Sequence, residues 1–276
     1  MRIAIQGEFG SFSHEAALKM EPQATIVPCA VSAEVFKLVE KAEVSAAVIP
    51  IENSLAGSVV EHFDLLFQSE VRIERESLLR IRHNLIGTPG STLDGIRKVL
   101  SHPVALAQCR RFFSEHPKME PTAFYDTAGS VKHITGLGDR QAGAIASEQA
   151  ALAYGGEVLA AGIEDNPANY TRFFLIRRSG DVQPVPDPDK ASIAFSVANR
   201  PGTLVSALQV FAEHNTNLCK IESRPVHGQP WQYIFYVDFD YQASGPAATS
   251  AALDQLRRQC LLVKELGHYP AAQPLS

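Results

Sequence analysis

The chain has 276 residues, a formal net charge of -5 at pH 7, and 45% hydrophobic and 20% charged residues. This length favours two domains, and the composition excludes an intrinsically disordered chain. The acidic balance provides no basic surface for nucleic acid. No run approaches the roughly 20 apolar residues that cross a bilayer, and the N-terminal apolar stretch is too short for a signal peptide. We therefore expect a cytoplasmic protein with no nucleic-acid or membrane partner.

The four cysteines lie far apart without a CxxC pair, and the nine histidines show no HExxH spacing. Separated cysteines are typical of free thiols in a reducing compartment. A histidine outside such spacing is more often a hydrogen-bonded scaffold residue than a metal ligand. We expect no disulfide framework, no metal and no cofactor.

Short apolar runs alternate with helical patterns as far as about residue 178. Strands are predicted at 3–6, 46–51, 79–85, 99–100 and 142–146, and helices at 15–20, 105–114 and 149–154, with Ser13 as the first N-cap. A further helix is predicted from Val59, Phe63, Leu66 and Phe67, whose spacing forms one buried face. Strands that alternate with helices predict an α/β sheet layered by helices.

The composition changes between residues 179 and 190, which contain Pro184, Pro186 and Pro188 together with several aspartates. Such a run interrupts helices and central strands, so it predicts a semi-rigid linker. Beyond it, strands are predicted at 192–198, 218–222, 232–239 and 261–266, with helices at 203–214 and 248–259. This is the βαββαβ order of a ferredoxin-like domain. We predict a first domain at 1–179, a linker at 180–190 and a second domain at 191–276.

The stretch from Asn169 to Phe174 places a hydroxyl, on Thr171, and a guanidinium, on Arg172, at the start of an apolar run. That run is typical of a strand buried on both faces, and ligands of open α/β sheets bind at strand ends. Threonine also favours strands for its shape alone, so this stretch by itself does not separate a catalytic from a structural role.

Six separated motifs resemble, in order, those of prephenate dehydratases with a C-terminal ACT regulatory domain. They are GEFGSFSH at 7–14, PIENS at 50–54, SHP with AQC between 101 and 109, TRF at 171–173, GTLV at 202–205 and ESRP at 222–225. Each is short enough to occur by chance, but together they cover nearly the whole chain. Ser11 stands where the family usually has threonine, and Thr203, beside the expected effector site, where alanine is usual.

The resemblance implies a two-lobed, periplasmic-binding-protein-like catalytic domain, with crossovers near 71–82 and 160–170, followed by the ACT domain. It implies a carbon–oxygen lyase of phenylalanine biosynthesis that converts prephenate to phenylpyruvate by losing carbon dioxide and water. L-Phenylalanine would be the effector, and the chain would form a homodimer or homotetramer. The chemistry needs a proton for the leaving hydroxide and does not need a metal or a cofactor.

By resemblance, Thr171 donates or relays that proton, and Arg172 either polarises Thr171 or clamps a substrate carboxylate. Glu52 would orient its neighbours, because a carboxylate that faced a dianionic substrate would repel it. The catalytic residues implied are Thr171, Asn53, Gln108 and Glu52, and the substrate-binding residues are Arg172, Phe173, Ser13, Ser54, Ser101, His102 and Thr127. The residues implied to bind phenylalanine are Gly202, Thr203, Leu204, Val205, Asn217, Leu218, Glu222, Ser223 and Arg224.

Two alternatives stay open. Arogenate dehydratase acts on a substrate that has an amine in place of the side-chain keto group, and the segment 126–130 is expected to line that end of the site. A noncatalytic small-molecule receptor would explain a cleft and an arginine, but it does not require Thr171, Asn53, Gln108 and the ACT motifs together. A parallel assay on prephenate and arogenate distinguishes the three.

Overall fold

The computed structural model describes residues 1–182, 185, 187–226 and 228–272. Contacts divide the chain into two compact units, the first made of Met1–Val59 with Ser77–Phe173 and the second of Val60–Glu76 with Phe174–Ser276. The segment 60–76 thus groups with the C-terminal part of the chain, unlike in the sequence-based division. Two prolines of the predicted linker, Pro184 and Pro186, lie outside the described residues, so the linker stays a prediction.

The first sheet begins with strands that are buried on both faces. Its elements are β1 (Arg2–Gln6), α1 (Phe12–Met20), β2 (Thr25–Cys29), α2 (Ser32–Glu40), β3 (Ala46–Asn53) and β4 (Gly57–Ser58), then α3 (Val60–Gln68) and β5 (Val71–Arg80). The strand order is β2-β1-β3-β11-β5, where β11 is Tyr170–Arg178, and β1 runs parallel to β2 and β3. The apolar runs of β1 and β3 are fully buried, as expected for parallel strands covered by helices.

Another sheet, which lies within the first unit, is formed by the middle of the chain. Its elements are β6 (Asn84–Gly87), a 3₁₀ turn (Leu93–Gly95), β7 (Lys98–Ser101), α4 (Pro103–Ala107), α5 (Arg110–Glu115), β8 (Glu120–Ala123), α6 (Thr127–Leu137), β9 (Ala142–Ala146), α7 (Glu148–Tyr154) and β10 (Glu157–Ala160). The strand order is β10-β6-β9-β7-β8. Two α/β sheets agree with the predicted two-lobed α/β fold.

Two sequence-based predictions about local structure were wrong. The alternation at 79–85 is not one strand, because β5 ends at Arg80 and β6 begins at Asn84. The N-cap of α1 is Ser11, whose hydroxyl accepts a hydrogen bond from the backbone N–H of His14, and Ser13 lies inside the helix.

The helix predicted at 105–114 is divided in two at Gln108 and Cys109. The carboxylate of Asp165 accepts hydrogen bonds from the backbone N–H groups of Arg110 and Arg111, at 3.0 and 2.9 Å, and so caps a new helix start. Gln108 becomes the C-terminal cap of α4.

The second unit contains a complete βαββαβ fold, which confirms the predicted ferredoxin-like ACT architecture. Its elements are β12 (Lys190–Ser196), α8 (Thr203–Glu213), β13 (Asn217–Pro225), β14 (Tyr233–Asp240), α9 (Gly245–Gln259) and β15 (Leu262–Tyr269). The strands pair antiparallel in the order β13-β14-β12-β15. Ile193, Phe195, Phe211, Phe239 and Leu256 form its buried core with the two helices.

Helix α3 belongs to this second unit and contacts the antiparallel sheet directly. The ring centroids of Phe63 and Tyr236 are 5.1 Å apart, and Arg224 Nη2 lies 2.8 Å from Asp64 Oδ2. The ammonium of Lys264 donates to the carbonyls of Leu66, Phe67 and Ser69, and these include carbonyls that the end of α3 leaves without a helical partner. Among the described residues no helix is both long and apolar enough to cross a membrane.

Candidate active site

A cleft of about 860 Å³ lies in the first unit, at the carboxyl ends of β1, β3, β7 and β8. This is where open α/β sheets bind ligands, and the volume suits a small molecule. The polar residues of its wall include Glu8, Ser11, Ser13, Asn53, His83, His102, Gln108, Asp126, Thr127 and Thr171.

Thr171 lies near the start of β11, and its side chain is largely buried, with 8% of the residue exposed. The Nδ2 atom of Asn53 donates a hydrogen bond to Thr171 Oγ1 at 2.9 Å. Because the oxygen accepts from Asn53, the hydroxyl's own hydrogen is left to donate elsewhere. Thr171 lines the cleft, so this hydrogen is available to a ligand there.

The orientation of Asn53 is fixed by the backbone of the turn that follows it. The backbone N–H groups of Leu55 and Ala56 donate to Asn53 Oδ1, at 3.1 and 2.8 Å. A flipped amide would bring its NH₂ group against these two donors, so the flip is excluded. Asn53 Nδ2 must then face Thr171 and also Asn169 Oδ1, at 2.7 Å.

The network continues from Asn53 through two further amides to a histidine. Asn169, which is fully buried, donates through Nδ2 to Gln108 Oε1 at 2.9 Å. The same Gln108 oxygen lies 2.8 Å from Nε2 of His83, and Gln108 Nε2 donates to Asn53 Oδ1 at 3.4 Å. Burial lowers the pKa of His83, while the hydrogen bond to Gln108 and the charge of Glu164 act in the opposite direction. The ring is therefore neutral at pH 7 and all four partners are uncharged.

Two carboxylates also reach the wall. Asp126 caps α6, and its Oδ1 accepts from the backbone N–H of Gly129 at 2.6 Å. Burial raises the pKa of Asp126, and the backbone hydrogen bond opposes that rise. Glu8 contacts Lys132 Nζ at 2.9 Å and the hydroxyls of Tyr125 and Tyr154. None of the wall residues in the described part of the chain is Arg or Lys.

The predicted catalytic and substrate residues divide into two groups. Seven line the cleft, namely Thr171, Asn53, Gln108, Phe173, Ser13, His102 and Thr127. The other four, which are absent from that wall, are Glu52, Arg172, Ser54 and Ser101. Arg172 lies between Thr171 and Phe173, so strand alternation directs it to the opposite face of β11. The roles of all eleven residues in catalysis and substrate binding stay predictions.

The contacts of Ser54 and Ser101 are structural. The hydroxyl of Ser54 donates to Ala168 O and accepts from Tyr170 N, which joins two loops. Ser101 is fully buried, and its hydroxyl donates to Ile145 O at 2.6 Å in the neighbouring strand. Glu52 pairs with Ser58 across the β3–β4 hairpin.

His83 and Asn169 belong to this network, although no sequence motif assigns either of them a site role. His83 falls within the strand predicted at 79–85, but it lies after the end of β5. Asn169 lies in the polar segment that precedes the buried strand. Its position directly before Tyr170 and Thr171 was the one signal that could have identified it.

The residues predicted to bind phenylalanine lie at the start of α8 and along β13. Gly202 is the N-cap of α8 with a φ of 85°, a conformation that favours glycine, and Val205 is 69% exposed. The Thr203 hydroxyl donates to Ala198 O at 2.6 Å, so it is satisfied within its own loop. Leu204 and Leu218 pack on the ACT core, and Asn217 donates to Asp240. Glu222 stands opposite Tyr236, Ser223 is exposed, and Arg224 binds Asp64.

Comparison with known proteins gives concordant matches along the chain. The family model described as prephenate dehydratase matches residues 3–181, and that of the ACT domain matches residues 191–258. Arogenate dehydratase 2 of Petunia hybrida is 39% identical over 285 residues, which cover 98% of this chain and 72% of that protein.

Two solved structures also superimpose closely. A prephenate dehydratase from Arthrobacter aurescens, in complex with L-Phe, has a TM-score of 0.89 and 32% identity, covering 100% of this chain and 92% of that one. A protein described as a novel type of quorum quenching acylase has a TM-score of 0.90 and 34% identity, with 99% of each chain covered.

Proposed function

Since the chain belongs to the prephenate dehydratase family and carries an ACT domain, we propose that it converts prephenate to phenylpyruvate. The observation that carries this proposal is the hydrogen bond from Asn53 Nδ2 to Thr171 Oγ1. It leaves the hydroxyl hydrogen of Thr171 to be donated into the cleft. A positioned donor of this kind is what the departure of a ring hydroxide requires.

In the proposed reaction, the bond from the ring to its carboxylate breaks, and carbon dioxide leaves. The electron pair moves through the ring and expels the ring hydroxyl, which leaves as water with a proton from Thr171. Thr171 then recovers a proton from solvent, so that one proton is consumed for each turnover. The gain of aromaticity drives the sequence, and the neutral amides around Thr171 keep its position fixed.

The substrate carboxylates would be held by neutral donors, because the described wall has no Arg or Lys. The N-terminus of α1, with Ser11 and Ser13, faces the cleft, and so does that of α6, with Thr127. Helix N-termini attract anions through their unpaired N–H groups and their dipole. This supports binding of a carboxylate and does not require Arg172 as the clamp.

Arogenate is the second candidate substrate, and the acidic groups of the wall favour it. Arogenate carries an ammonium where prephenate has a keto group. Asp126 is partly desolvated, and Glu8 lines the same cleft. A carboxylate in that position would attract an ammonium more strongly than a neutral keto group. Arogenate therefore stays the alternative substrate, and an assay on both substrates decides between them.

The deciding experiment measures the purified protein on prephenate and on arogenate, and follows phenylpyruvate and phenylalanine. We expect turnover on at least one substrate, with Thr171→Ala as the matched inactive control. Inertness toward both would overturn the dehydratase proposal and leave the receptor alternative. If Asp126 receives an ammonium, Asp126→Asn should lower kcat/KM for arogenate about 10-fold or more relative to prephenate.

The hydrogen bonds around Thr171 do not support the acylase activity described for one relative. An acylase with a hydroxyl nucleophile pairs that hydroxyl with a base. The oxygen of Thr171 instead accepts from the amide of Asn53, and the imidazole of His83 contacts Gln108. These contacts give Thr171 no base, so they do not support it as an acylase nucleophile.

We also propose that L-phenylalanine regulates the enzyme through the ACT domain. The start of α8 and the strand β13 carry the GTLV and ESRP motifs, and the Arthrobacter relative was solved with L-Phe. A homodimer or homotetramer and a cytoplasmic location remain part of this proposal. Inhibition of turnover by phenylalanine, together with the mass of the native assembly, would test it.

A further inference from the structure

His83 occupies the end of the polar network that is farthest from Thr171. Its ring lies edge-on to Phe12, with centroids 5.8 Å apart, and only 2% of the residue is exposed. Its Nε2 atom contacts Gln108 Oε1 at 2.8 Å. None of the motifs that indicate the family includes this histidine, which lies between β5 and β6.

The direction of every hydrogen bond in the network follows from the backbone. The N–H groups of Leu55 and Ala56 force Asn53 to present its NH₂ group to Asn169 Oδ1. Asn169 must then present its own NH₂ group to Gln108 Oε1. The Gln108 oxygen, which only accepts, leaves His83 one choice, to donate through Nε2–H.

The other ring nitrogen supports the same assignment. Nδ1 of His83 is buried and has no hydrogen-bond partner among the described residues. A hydrogen on Nδ1 would thus be a buried donor without an acceptor, which is costly. The lowered pKa agrees with a ring that carries a single hydrogen.

We infer that His83 is a positioning residue, which as a neutral Nε2–H donor holds Gln108 and, through it, the amides that orient Thr171. The inference rests on the proposed dehydratase function for its catalytic consequence. Without His83, Gln108 loses the donor that favours one orientation of its amide. Gln108 then spends time rotated, with its NH₂ group against that of Asn169, and the Asn53–Thr171 contact loosens.

The kinetic test compares His83→Leu with His83→Gln, whose side-chain NH₂ reaches about the position of Nε2. We expect His83→Leu to lower kcat about 10- to 100-fold with KM changed less than about threefold, the usual scale for losing a supporting contact. His83→Gln should return kcat to within about fivefold of the wild type. His116→Leu, which removes an imidazole that stacks on Phe112 away from the cleft, is the control.

The inference is overturned if His83→Leu keeps kcat within about twofold of the wild type, or if His83→Gln is no better than His83→Leu. The second test needs no variant and no turnover, since ¹⁵N chemical shifts distinguish the tautomers of a histidine ring. At pH 7 the wild-type protein should show protonated Nε2 and bare Nδ1 at His83. The opposite tautomer, or a doubly protonated ring, would overturn the inference even if the dehydratase assay succeeded. If both substrates are inert, the dehydratase proposal fails, and these spectra still decide the tautomer.

Discussion

The two units hold their predicted functional residues in opposite ways. In the first, Asn169 and Thr171 are buried, and every partner in the chain from His83 to Thr171 is uncharged and oriented by its neighbour. In the second, Val205 and Ser223 are exposed, and Arg224 forms a partly exposed ion pair with Asp64. Buried networks are rigid and sensitive to loss of a member, whereas exposed pairs contribute little to stability. The comparison teaches that the proposed proton donor sits in a preorganised network, whereas the proposed effector residues are held by few buried contacts.

The largest effect is expected at Thr171. Thr171→Ala removes the proposed donor, so kcat should fall about 10² to 10⁴-fold, the usual range for a positioned proton donor. KM should change much less, because the helix N-termini and the remaining wall residues are intact. Steady-state kinetics with a circular dichroism check of folding measures this. Thr171→Ser keeps a hydroxyl and is the matched control, and a loss in Thr171→Ala below about fivefold would exclude Thr171 as the donor.

Asn53→Asp tests the direction of the network and not only its presence. A carboxylate still accepts from the backbone of Leu55 and Ala56, but it has no hydrogen to give to Thr171. The threonine would then donate to the introduced carboxylate and turn its hydrogen away from the cleft. We expect kcat to fall about 10²-fold or more. Equal turnover of this variant and the wild type would show that the polarity of the bond is unimportant.

Features of the fold and the site that depend on local sequence could be predicted, whereas those that depend on contacts between residues far apart in the chain could not. Thr171, Asn53 and Gln108 stand in short motifs, and the ACT strand order followed from local periodicity. The role of His83 could not be predicted, because its contact with Gln108 joins segments 25 residues apart and leaves no local pattern. The break at Gln108 arises from the carboxylate of Asp165, far along the sequence. The orientation of Arg172 could be predicted, because it lies between Thr171 and Phe173 in a strand and so faces the opposite side of the sheet.

The membership of α3 in the second unit does not follow from its sequence. The helix was predicted from its apolar face, and that prediction was correct. Which surface covers that face depends on Phe63 meeting Tyr236 and on Lys264 meeting the carbonyls at the end of α3. Such contacts depend on tertiary packing and do not follow from helix periodicity.

In the second unit, the ion pair between Asp64 and Arg224 tests whether regulation passes through α3. The helix begins directly after residues 56–59, which line the cleft. Asp64→Asn should raise the phenylalanine concentration for half-inhibition about 3- to 10-fold, a coupling of ordinary size, with basal kcat within about twofold. Turnover measured over a series of phenylalanine concentrations gives both the concentration for half-inhibition and the basal kcat.

Asp254→Asn is the matched control for this variant, because it breaks the pair between Asp254 and Arg257 on α9. Identical curves for Asp64→Asn and the wild type would mean that the pair carries no regulatory signal. Absence of inhibition in the wild type would instead contradict the effector proposal itself.

The smallest effect concerns the stability contributed by Asp126. Burial raises its pKa, so the ionised side chain destabilises the folded state above that pKa, and this cost disappears below the pKa of the unfolded chain. Asn also caps helices well. Asp126→Asn should therefore raise the free energy of unfolding at pH 7 by at most about 1 kcal/mol and leave it unchanged near about pH 3. Urea titrations at the two pH values measure the difference, and a gain that persists in acid would contradict it.

The turn after Asn53 also bears on how this protein ages. An asparagine followed by a small residue such as Ser54 can deamidate, when the next backbone nitrogen attacks the side-chain amide and a cyclic imide forms. Here the N–H of Ser54 donates to Tyr170 O at 2.8 Å, and two further N–H groups hold Asn53 Oδ1 in place. The attacking atom is thus occupied and the amide cannot turn toward it. The contacts that orient the proposed proton donor thus also protect Asn53 chemically, so stored protein should deamidate at Asn53 only after this loop has unfolded.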